Sequence, residues 1–97
     1  MKIVILALAR DDLKEIHKYL SEFGESPAKK LRESFENFCV SVADMPYMFG
    51  QYEHNQGYRK AVIVFDYLVF YKVDDKSDKI KIYRVLHGKR NTDHFVK

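Results

Sequence analysis

The sequence predicts one α+β domain spanning residues 1–97, ordered β-α-α-β-β-β, with a helical hairpin packed on one face of a mostly antiparallel sheet. Three observations lead there. An apolar, strand-like run opens the chain. Two stretches of helical period follow. Residues 58–90 then hold three β-branched and aromatic runs separated by Asp-containing breaks. With 46% hydrophobic and 14% aromatic residues in 97, the chain can bury one core and is too apolar to be disordered.

Residues 2–8 are apolar without alternation, as in a strand covered on both faces. The six apolar residues 3–8 stop at Arg10, Asp11 and Asp12, too short a run for a signal-peptide core or a membrane span. A single cysteine, Cys39, excludes an internal disulfide and a Cys-based zinc framework, and fits a reducing cytoplasm. A soluble cytoplasmic protein is the expectation.

The period then changes to that of a helix. Leu13, Ile16, Leu20 and Phe23 recur at steps of three and four, predicting an amphipathic helix from about residue 9 to 23, with Asp11 and Asp12 in its first turn and Gly24 as its exit. Ser26 as N-cap and Pro27 at the first helical position start a second helix. Its stripe, Ala28, Leu31, Phe35, Phe38, Val42 and Met45, is the cleanest periodicity in the chain and ends before Pro46. Cys39 adjoins that stripe as an inert, buried thiol.

Counting directions (strand up, helix down, helix up, strand down) lets the strand after the hairpin pair antiparallel with the first. Residues 46–57 read as a loop whose Met48, Phe49 and Tyr52 tuck under the sheet edge. A meander follows from the runs 61–65, 67–73 and 80–86. A two-residue turn at Phe65-Asp66 places Val62 and Val64 on one face with Tyr67, Val69 and Tyr71. Ile63, Leu68 and Phe70 take the other, and Leu68 and Phe70 there form an exposed apolar patch suited to a partner.

Charge is distributed unevenly. Residues 1–57 carry seven Lys/Arg against nine Asp/Glu, whereas residues 58–97 carry ten against five. A basic face that meets nucleic acid or an acidic protein segment is implied. Lys89 and Arg90 follow the last strand at an exposed end, and Arg84 inside it is placed to pair with Asp12 or Glu15. His87 and His94, seven apart with no Cys or carboxylate pair beside them, make no metal site, and no glycine-rich phosphate loop is present. No cofactor is expected.

The string Tyr83-Arg84-Val85-Leu86-His87-Gly88-Lys89-Arg90, read with Ala9-Arg10-Asp11-Asp12-Leu13, Met45-Pro46, Tyr58-Arg59 and the Tyr67/Tyr71 pair, resembles the ParE/RelE superfamily of bacterial type II toxins. The likeness is to its ParE-like (plasmid stabilisation) branch, with Asn91 where an Asp is usual. It implies a toxin neutralised by a cognate, co-encoded antitoxin, with DNA gyrase as target and no chemistry by the toxin itself. The partner-binding residues implied are Arg59, Leu68, Phe70, Arg84, His87, Lys89 and Arg90. The alternative is a RelE-like ribosome-dependent mRNA endoribonuclease using Arg59, Arg90 and His94. A third reading is an inactive homologue that only binds antitoxin. Leu68 stands where the endoribonucleases usually carry an arginine, and one lost donor to transition-state charge costs about 3 kcal/mol. That departure favours the ParE-like activity.

Overall fold

The computed structural model describes residues 1–89. Its elements are β1 (Lys2–Ile5), α1 (Ala7–Ser21), α2 (Glu25–Asp44), β2 (Gln51–Tyr52), β3 (Asn55–Val62), β4 (Tyr67–Asp74) and β5 (Lys79–His87), with one turn of 3-10 helix at Val64–Asp66. The helices lie on one face of a five-stranded sheet of order β1-β5-β4-β3-β2. This is the α+β arrangement expected. Among the described residues, no helix is long and apolar enough to cross a membrane.

The sheet departs from expectation at β1, which pairs parallel with β5 (Ile3 opposite Ile80, Ile5 opposite Ile82) and not antiparallel with the strand after the hairpin. The cause is β2. Gln51 and Tyr52 double back on β3 through Glu53-His54, one reversal more than the count of directions allowed, so every later strand runs the other way. Two residues are too few to show as a strand in any periodicity.

A second correction concerns the faces of β3. The connection to β4 takes three residues, Val64–Asp66, with Ile63 N–H donating to the Tyr67 carbonyl at 2.8 Å. Phe65 and Asp66 both take left-handed backbone, φ 60° and 61°. One residue more in the turn shifts the pairing by one. Ala61 stands opposite Val69 and faces the helices, while Val62 stands opposite Leu68 on the open face.

Between helices and sheet, Ile16, Leu20, Leu31, Phe35, Phe38 and Val42 pack on Val69, Tyr71, Ile80, Ile82 and Val85. Phe38 meets Tyr71 edge-on at 5.5 Å and Phe49 at 5.6 Å, so the α2 stripe and the following loop share one aromatic cluster. Ends of both stripes fall outside this core. Phe23, beyond α1, is 65% exposed, and Met45, the residue that closes α2, is 57% exposed. α1 begins two residues before the expected start, which leaves Asp11 and Asp12 beyond its first turn. α2 is entered through Gly24 at φ +106°, not capped by Ser26.

Candidate functional site

The last strand carries the motif, and a β-bulge decides where its residues point. Ile82 and Val85 both face the helices although they are three apart, which strict alternation forbids. Tyr71 is paired with Ile82 and Phe70 with Arg84, so Tyr83 is the extra residue and the strand is re-aimed there. Arg84 thereby reaches α1. Its Nε and Nη2 donate to the two carboxylate oxygens of Asp12 at 2.7 and 2.9 Å, and the Val85 N–H donates to Asp12 Oδ2 at 3.0 Å. Both side chains are largely shielded, and the hydrogen bonds to Asp12 hold the Arg84 guanidinium above its ordinary pKa.

Arg59 is likewise turned towards the helix side, opposite Tyr71. It donates from Nη1 to the Phe49 carbonyl at 2.7 Å and lies over the Tyr47 ring, 4.8 Å from its centre. Tyr47 in turn donates to Asp75, and the Tyr71 hydroxyl donates to the Pro46 carbonyl. The loop from α2 is therefore tied to both β3 and the β4–β5 turn.

The apolar patch expected on the open face is only partly there. Phe70 is fully buried, a correction to its expected exposure: Tyr52 from β2 lies edge-on over its ring at 5.0 Å, with Leu86 alongside. Leu68 remains half-buried at the margin of this second cluster, and Val62 beside it is 61% exposed. Residues 51–52 again supply what the sequence hid. His87 is half-buried, its ring edge-on to Tyr67 at 5.1 Å, and its Nδ1 accepts the N–H of exposed Lys89 at 3.2 Å. Arg90 and His94 lie outside the described residues.

Two surfaces were not located by the sequence reading. One is an aromatic recess of about 470 Å³ between the end of α1 and the β3–β4 turn, lined by Tyr19, Leu20, Phe23, Phe65, Tyr67 and His87. Phe23 read as core because its spacing continues the stripe, but α1 ends before it. The other is the open sheet face, where the side chains opposite the core on β1, β4 and β5 include Lys2, Lys72, Lys79 and Lys81. The charge surplus of residues 58–97 signalled a basic face, and the alternation in Lys79-Ile80-Lys81-Ile82 is what could have placed it on the open side of the sheet.

A helical hairpin on a five-stranded, mostly antiparallel sheet, with β5 anchored to α1 by an arginine, is the RelE/ParE-like α+β fold. The family model described as the ParE toxin of the type II toxin-antitoxin system, parDE, matches residues 3–92, and the chain belongs to that family. Among solved structures, the chromosomal ParDE toxin-antitoxin system from P. aeruginosa is similar in fold. The TM-score is 0.63 at 15% identity, covering 90% of this chain and 95% of that one. Comparison with curated proteins gave no match.

Proposed function

We propose that this chain inhibits DNA gyrase by binding, without chemistry of its own, and that a co-encoded antitoxin neutralises it. Family membership supports the toxin and its antitoxin partner. The observation that carries the choice of activity is the engagement of the sheet arginines. Arg59 and Arg84 are held on the helix side by the Phe49 carbonyl and by Asp12, while Leu68 on the open face has Phe70, Leu86 and Val62 for neighbours. Cleaving RNA through its 2′-hydroxyl requires a base, an acid and a cation converging on one phosphate. An apolar centre flanked by committed arginines supplies poor support for that transition state.

The aromatic recess offers a place for the apolar side chains of an antitoxin segment that folds as it binds, since such segments gain affinity by anchoring apolar groups in grooves. The test is direct. Purified toxin is expected to inhibit gyrase supercoiling or to stabilise cleaved DNA, and to leave mRNA intact on ribosomes. Ribosome-dependent cuts that vanish in Arg90→Ala or His94→Ala would overturn the reading.

A further inference from the structure

The open sheet face keeps a charge arrangement that the fold alone does not favour. Lys2 stands directly opposite Lys79, and Lys81 directly opposite Lys72, on adjacent strands. Like charges in direct cross-strand pairs destabilise a sheet. Lys60, opposite Phe70 on β3, brings the lysines of this face to five. Against them stands Asp74, directly opposite Lys79 on β4 and 3.4 Å from Lys81.

Aromatic rings are interleaved with these cations. The Lys72 ammonium lies 4.4 Å from the centre of the Tyr58 ring and 5.2 Å from that of Tyr83. The two rings meet edge-to-face at 5.2 Å, and both residues are only half-buried. Lys60 lies 5.5 Å from the centre of Tyr52. From this pattern we propose that the open face of the sheet binds single-stranded nucleic acid, with Lys72, Lys79 and Lys81 on its phosphates and Tyr83 against a base.

Two features favour a nucleic acid over an acidic peptide. Repelling lysine pairs are relieved by a polyanion that spans both members, as a phosphate backbone does. All five cations are lysines, which meet phosphate and carboxylate alike as point charges. Both described arginines of the sheet are turned the other way, to Asp12 and the Phe49 carbonyl. Finally, tyrosines among lysines give bases a π-surface without selecting their sequence.

This inference is independent of gyrase and antitoxin, and its test uses neither. Fluorescence anisotropy of labelled 12-nucleotide single-stranded DNA and RNA is measured across salt concentrations, with a DNA duplex and a poly-glutamate peptide as competitors. Wild-type protein is expected to bind a single strand with affinity falling steeply with salt. In Lys72→Gln/Lys81→Gln the affinity should fall at least tenfold, and the salt slope should shrink by about 1.4, the release from two phosphates. Tyr83→Leu should cost about tenfold with the slope unchanged, because stacking releases no ions. A preference for DNA or for RNA supports the proposal either way and identifies the source of the strand. Lys29→Gln/Lys30→Gln, on exposed α2 positions, should bind as wild type. The proposal is overturned if that control falls equally, if the open-face variants bind normally while folded by circular dichroism, or if duplex or poly-glutamate competes as well as a single strand.

Discussion

Asp12 is the residue on which α1 and β5 agree. Its carboxylate takes two bonds from Arg84 and a third from the Val85 N–H, in a position that leaves little water to replace them. Removing it strands a cation and a strand amide together, and a lost bond to a charged group costs about 1.5–3 kcal/mol. Asp12→Ala is expected to lose about 3 kcal/mol in urea denaturation. Asp12→Asn, which keeps an acceptor for Val85, should lose less. Arg84→Ala should fall between them, since Asp12 then still holds Val85. Wild-type midpoints in all three would show that the pair is ornamental to stability. The pairing of Arg84 with a carboxylate of α1, Asp12 or Glu15, was legible in the sequence, because an arginine inside an apolar strand needs a carboxylate and α1 offered few; the structure selects Asp12. The position of Asp12 within α1 was not, because the start of a helix without a side-chain cap leaves no mark.

At the scale of elements, the α2 stripe was the most legible feature, and its five residues from Ala28 to Val42 are all buried. What failed to show were the connections. The two-residue β2 reverses the sheet, and a three-residue turn at Val64–Asp66 exchanges the faces of β3, yet neither has enough residues to carry a period. Phe65 hides that turn further, because an aromatic residue at φ 60° is a rare choice where Asn or Gly is usual. Hence Phe70 was placed on an exposed patch while Tyr52 in fact covers it. The α1–α2 joint was readable in kind. Gly24 stands at φ +106° and ψ 178°, a backbone region open to glycine almost alone. No atom would obstruct a Cβ there, so strain is the only penalty for one. Gly24→Ala is therefore expected to lower stability by about 1–3 kcal/mol without altering the core. An unchanged melting temperature would mean that the joint relaxes freely and does not set the angle of the hairpin.

For the molecule as a whole, the layer between helices and sheet should govern behaviour in alkali. Burial pushes the Cys39 thiol on α2 up to about 11 from 9.0, with Glu36 adding to the shift. Burial also raises Tyr71 and Tyr67 on β4 above 10.0. Each of these groups is neutral when protonated, and the folded state holds the proton more tightly than the unfolded chain. Between the unfolded and folded pKa values the native protein therefore binds more protons, so stability falls as pH rises. The contribution is intact below about pH 9 and is lost through about pH 11 for Cys39, with the tyrosines following from above pH 10. Urea midpoints measured from pH 7 to 11 should hold steady to about pH 9 and then drop. Cys39→Ala should remove the earliest part of that drop, and thiol labelling of folded wild type at pH 8 should be slow, since the thiolate is the reactive form. An alkaline profile identical in Cys39→Ala and wild type, together with fast labelling at pH 8, would place the thiol in water and detach the helix layer from the alkaline transition.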